Sequence, residues 1–189
     1  MQALLFDFAQ IMVQNWTVWL VTVVLILAAV IDGFELKVPN WVTFPFILSG
    51  WAYAFFAMGW EGLGWSLLGT VVGLALLMPA YAIGGMGAGD VKLLAGVGAW
   101  ILIQHTVNSF CVSAIVGALM AVLMVVARRA WKKHQDQFWL ILNEIMVIKN
   151  PEKLAEIAAE RKQRMLLLPY GIPIAIGTIG YFLWMGMLV

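Results

Sequence analysis

Long apolar runs dominate this chain, in place of a strict alternation or one narrow amphipathic stripe. Six of them can be marked, over residues 15–31, 41–58, 63–83, 91–107, 109–127 and 168–189. A bilayer core of about 30 Å is crossed by about 20 residues of helix, so these runs match or approach a membrane span. The run over 91–107 is short and interrupted by glycine. Lipid offers backbone groups no hydrogen-bond partner, and each run is therefore expected to be helical. Polar residues collect in 128–164, between the fifth and sixth runs. Within that segment 137–148 is apolar around Asn143 and Glu144, too short to span, and reads as an amphipathic helix lying on the membrane surface. The stretch 151–164 interleaves Glu with Lys and Arg and reads as a solvated charged helix, with a partner or lid surface as the sharper alternative. The expected architecture is an all-α membrane protein. It is one domain over 1–189, a polytopic bundle of about six transmembrane helices with a cytoplasmic amphipathic and charged helical loop.

Composition strengthens this reading. Of 189 residues, 63% are hydrophobic and 11% charged, where a soluble domain carries about 25% charged residues. A soluble chain this apolar would expose large sticky patches. The partner implied is the lipid bilayer, and no nucleic-acid surface is expected. The single cysteine, Cys111, excludes an intrachain disulfide and any CxxC metal motif, and it reads as a packing residue in an apolar run. Residues 1–15 contain no Lys or Arg, so the first run lacks the basic leader of a cleavable signal peptide and is read as a retained span.

The distribution of positive charge orients the bundle. Lys37 lies in the first connection and Lys92 just after the third run. The other nine of the eleven Lys and Arg residues lie in 128–164. With six spans these are connections one, three and five, which share a side; the positive-inside rule makes that side cytoplasmic and leaves both termini outside. Trp16, Trp41, Trp60 and Trp65 near run ends fit an interfacial belt.

Ionisable groups at membrane depth are costly and mark functional sites. Most of the ten acids lie in the polar loop or in chain ends and connections. Asp32 ends the first run and Asp90 opens the fourth, on the same side and at similar depth. Two carboxylates that meet share a proton, which makes one a base and the other an acid. The base can deprotonate water while the acid protonates a scissile carbonyl oxygen. The alternatives are two interfacial acids that cap helices or pair with Lys37 and Lys92, or a proton- or cation-coupled small transporter using Asp32 and Asp90 as ion sites. An inverted repeat of the kind many transporters carry is not found. Before Asp90 the chain reads Gly84-Gly85-Met86-Gly87-Ala88-Gly89. Glycine permits close backbone approach, which an extended substrate beside a carboxylate requires. The spacing is not that of a dinucleotide-binding loop.

Gly87-Ala88-Gly89-Asp90 resembles the GxGD motif of intramembrane aspartyl proteases. The longer run GMGAGDVKLLAGVGAW over 85–100 is similar to the type IV prepilin peptidase branch, including the relatives that serve Tad/Flp pili and archaeal preflagellins. Asp32-Gly33-Phe34-Glu35-Leu36-Lys37-Val38-Pro39-Asn40 resembles that branch's other catalytic element, and Leu168-Pro169-Tyr170-Gly171 its Pro-aromatic-Gly element. GxGD proteases that cut within the bilayer usually carry Tyr before the first aspartate; here Ile31 stands there.

The resemblance implies an aspartic endopeptidase of the inner membrane. It would remove the short basic leader of prepilin-like precursors at the cytoplasmic face, with Asp32 and Asp90 catalytic. Gly87, Gly89, Lys37, Lys92, Pro39, Asn40, Pro169 and Gly171 would shape backbone and substrate. Within that set Asn40 is expected to cap the second span, behind Pro39. Lys92 is expected either to orient a carboxylate or to snorkel to headgroups. His105 is expected on the outer side, away from the aspartates. Many bacterial members carry an N-terminal cytoplasmic domain with paired CxxC motifs and also methylate the new N-terminus. The lone Cys111 argues against a zinc site and a methyltransferase activity here, and no cofactor or metal is expected.

Overall fold

A computed structural model of the chain describes residues 15–127, 139–140 and 168–188. The predicted surface helices of 128–164 lie outside the described residues apart from Trp139 and Leu140, as does the chain before Asn15. The described residues form four helices and no strand: α1 (Trp16–Glu35), α2 (Asn40–Ala82), α3 (Ala88–Ala127) and α4 (Gly171–Trp184). The first three are long and apolar enough to cross a membrane.

Two of these helices fold back on themselves. In α2 the break is Gly59, at φ 65° and ψ −150°, a region essentially reserved for glycine. Trp51 Nε1 donates to Thr70 Oγ1 at 2.9 Å across it. In a straight helix those residues would stand about 28 Å apart, so the two halves run side by side. In α3 the non-helical residue is Leu102, at φ 62° and ψ −176°, and the helix runs unbroken through Asn108, where the hydropathy had placed the turn. The break between the apolar runs at 59–62 coincides with the α2 reversal, where Gly59 supplies the conformation. Leu102 carries no such signal.

Helix ends follow local chemistry. α2 stops where Gly84 adopts φ 77°, with Gly85 N–H donating to Ala80 O and Gly84 N–H to Tyr81 O, both at 2.9 Å. This is a Schellman cap, in which glycine takes the left-handed conformation at no steric cost. α1 reaches Glu35 and α3 starts at Ala88, so Asp32 and Asp90 both lie inside helical turns.

Polarity is distributed as lipid demands. Thr22, Thr43, Ser66, Thr70, Asp32 and Asp90 are buried, while Val23, Phe56, Leu119 and Leu123 are exposed. Several buried hydroxyls are satisfied by carbonyls one turn back, as Thr22 Oγ1 is by Val18 O at 2.8 Å. Cys111 sits exposed on the outer face, not in the packed interior. α2 and α3 approach backbone to backbone: a Cβ on Gly69 would collide with Gly98 O, and one on Gly98 with Gly69 O. Small residues allow such contact, and dispersion rewards it where lipid supplies no hydrophobic drive.

Candidate active site

Asp32 and Asp90 are 1% and 4% exposed, although carboxylates are almost never so buried without a specific arrangement. Asp32 lies in the last turn of α1, and its Oδ2 accepts the Gly171 N–H at 2.7 Å from the first residue of α4. That N–H is one of the four that a helix start leaves without an internal partner. The approach requires glycine, since a Cβ on Gly171 would stand 2.9 Å from Asp32 Oδ2 and 3.0 Å from Asp32 Cβ.

Asp90 is held in a parallel way. Its Oδ2 accepts the Gly87 N–H at 3.0 Å, in the first turn of α3, where the helix dipole favours an acid. A Cβ on Gly89 would strike the Val38 carbonyl oxygen. The connection carrying Val38 and Pro39 is thereby pressed against the turn that bears Asp90. Glycine at 87 and 89 thus has distinct tasks, one donating to the carboxylate and the other admitting the neighbouring backbone.

At the entry to α4, Gly171 binds Asp32, and the half-buried Tyr170 immediately precedes it. Tyr170 was not singled out by residue type or spacing. Its one signal is its place between Pro169 and Gly171. Pro169 O and Tyr170 O accept from Ile172 N–H at 3.2 Å and Ile174 N–H at 3.1 Å, setting the first turn of α4.

Of the remaining predicted residues, Asn40 corrects the expectation. Pro39 occupies the N-cap position of α2 in extended conformation, and no side chain caps that helix. Asn40 Oδ1 instead accepts from Lys92 Nζ at 2.9 Å, and that ammonium lies 4.8 Å from the centre of the Phe44 ring. Lys92 therefore ties the start of α3 to the start of α2. Lys37 is exposed on the connection between α1 and α2. His105 bonds the Tyr181 hydroxyl at 2.7 Å, about 15 Å along α4 from Gly171.

These features define a helical membrane protein with two buried aspartates gathered at one end of its bundle. The chain belongs to the type IV leader peptidase family, whose model matches residues 19–122. It is 31% identical over 125 residues to a prepilin leader peptidase/N-methyltransferase of Aeromonas hydrophila, covering 62% of this chain and 42% of that protein. A protein of the same description from Neisseria gonorrhoeae is 34% identical over 116 residues, covering 58% and 40%. The chain thus spans about two-fifths of the length of these relatives. No solved structure matches it.

Proposed function

We propose that this protein is an aspartic endopeptidase of the inner membrane that removes the short basic leader of prepilin-like precursors, using Asp32 and Asp90. The observation that carries the reading is the matched seating of the two carboxylates. Each is anchored through Oδ2 by a glycine N–H, Asp32 by Gly171 at the start of α4 and Asp90 by Gly87 just before α3.

The chemistry follows from a pair that shares one proton. The ionised aspartate takes a proton from water, and the water oxygen bonds to the scissile carbonyl carbon. The protonated aspartate gives its proton to the carbonyl oxygen. Collapse of the tetrahedral diol breaks the C–N bond. The nitrogen receives the proton held by the base, one hydroxyl proton returns to the other aspartate, and a carboxylic acid and an amine leave. The acid and base roles belong to the pair, since the two titrations are coupled. Methyl transfer, which the relatives' names also carry, is not assigned to this chain.

The six-span arrangement is part of this proposal. The reversals at Gly59 and Leu102 divide α2 and α3 into halves, which with α1 and α4 make six apolar segments. Exposed Trp41 stands beside the aspartate end, while exposed Trp60 and Trp65 follow the Gly59 reversal, as two interfacial belts require. Lys37 and Lys92 lie at the aspartate end, so the positive-inside rule makes that end cytoplasmic.

The test is cleavage of a precursor with a short basic leader by detergent-solubilised protein, beside Asp32→Asn and Asp90→Asn. The expected result is cleavage by the wild type and none by either variant. Cleavage surviving in one variant would overturn the two-aspartate mechanism.

A further inference from the structure

One segment runs between the two aspartates and is exposed along its whole length. It starts after Asp32 in the last turn of α1 and ends at Val38, whose carbonyl oxygen packs against Gly89, the residue before Asp90. Asp32 and Val38 are buried, whereas every residue over 33–37 is exposed. A peptide stretched across both carboxylates would lie beside this strip.

Glu35 stands in the middle of the strip, and its charge is out of place by local rules. It is the last residue of α1, at the negative end of the helix dipole, where a cation is favoured and an acid disfavoured. Leu36 closes the helix immediately after it, in the left-handed conformation at φ 54°, with its N–H on Asp32 O at 2.9 Å. Among the described residues no side chain pairs with Glu35. The other charges leave it conspicuous. Asp32 and Asp90 are buried, Lys92 is committed to Asn40, and Glu61 lies past the Gly59 reversal. Glu35 is therefore the exposed acid at the aspartate end among the described residues. A carboxylate kept there against the helix dipole, beside the path of the substrate, is placed to receive a lysine or arginine brought by another molecule.

We infer that Glu35 reads the positive charge of the substrate's leader, pairing with a basic residue close to the cleaved bond. The inference rests on the peptidase reading above and deepens it. Residues three apart on a helix stand about 5–6 Å apart at Cβ, and an extended peptide advances about 3.3 Å per residue. Glu35 thus lies about two residues along the peptide from a bond held at Asp32. An exposed ion pair contributes modestly, up to about fivefold in affinity, which suits a choice between precursors. Proton transfer stays with the two aspartates, and Glu35 acts on binding.

The experiment measures kcat/KM, in an uncharged detergent at low salt, for three precursors that differ only in the leader. One keeps the basic leader, one has every leader Lys and Arg replaced by Gln, and one has them replaced by Glu. The enzymes are the wild type, Glu35→Gln, Glu35→Lys and Glu61→Gln, the last removing the same charge past the Gly59 reversal. The readout is the ratio of basic- to neutral-leader cleavage within each enzyme, which is independent of the fraction of folded protein. Glu35→Gln should lower that ratio about three- to fivefold, through KM. Glu35→Lys should invert the preference, cleaving the Glu leader better than the basic one. Glu61→Gln should keep the wild-type ratio. The wild-type preference should fade at about 1 M salt, where charges are screened within about 3 Å. Should Glu35→Lys fail to fold, Glu35→Gln alone decides. A ratio that Glu35→Gln leaves at the wild-type value, or a loss shared equally by all three precursors, would overturn the role of Glu35 while sparing the peptidase reading. A wild type that cleaves none of the precursors would overturn both.

Discussion

Gly171→Ala is the sharpest probe of how the site is assembled. The added methyl would stand 2.9, 3.0 and 3.1 Å from Asp32 Oδ2, Cβ and Cγ. Carbon contacts settle at about 3.5 Å or beyond, so the entry of α4 and the last turn of α1 must part by about 0.5 Å. The same movement stretches the 2.7 Å bond from Gly171 N–H that orients Asp32. A misplacement of about 1 Å can cost about a hundredfold in rate, and half of it predicts about a tenfold loss in kcat, with KM little changed. The stability cost is smaller. Overpacking removes about 1–3 kcal/mol, and replacing glycine in a helix returns up to about 1 kcal/mol. Kinetics of precursor cleavage, read beside thermal unfolding in the same detergent, separate the two effects. Gly180→Ala lies in the same helix with nothing within 4 Å of the new methyl and should leave kcat unchanged. Wild-type kcat in a folded Gly171→Ala protein, or an equal loss in Gly180→Ala, would refute the claim that close approach at Gly171 positions Asp32.

The remaining predictions probe other links in the fold and site. Gly69→Ala or Gly98→Ala forces apart the crossing of α2 and α3, where each new methyl meets the partner's carbonyl oxygen, and should lower stability by about 1–3 kcal/mol in a denaturation series. Lys92→Met and Asn40→Ala each break the 2.9 Å bond between the starts of α3 and α2. A double-mutant cycle on stability should show them coupled by about 0.5–1.5 kcal/mol, and full additivity would mean the bond contributes nothing. At Leu102, φ 62° disfavours a β-branched side chain. Leu102→Ile should therefore lower the unfolding midpoint more than Leu102→Met does. Chelation with EDTA should leave cleavage unchanged, because the two-aspartate mechanism activates water without a metal; loss of activity restored by a divalent cation would contradict it.

The all-helical, apolar class of this protein follows from the sequence alone, and the sequence singles out Asp32 and Asp90 as its candidate acids. Apolar runs of span length demand helices in lipid, and Asp32 and Asp90 stand out because a carboxylate at the edge of such a run, at membrane depth, needs a reason to be there. Both signals are local, carried by a residue and its immediate neighbours. The gap between the apolar runs at 59–62 likewise marked the α2 reversal, and Gly59 takes the φ of 65° that it needs. Contacts between distant residues have no such signature, and these were decided by the tertiary structure. Gly171 reaches Asp32 across 139 residues. Asn40, an expected helix cap, spends its carbonyl on Lys92 because α3 starts beside it. Leu102 breaks α3 without being a breaker, six residues before Asn108, because packing against α2 and α4 overrides what an isolated helix would prefer. An apolar cavity of about 220 Å³ is the clearest case. Its lining comes from α2, both halves of α3 and α4, so the volume exists only once those elements have docked.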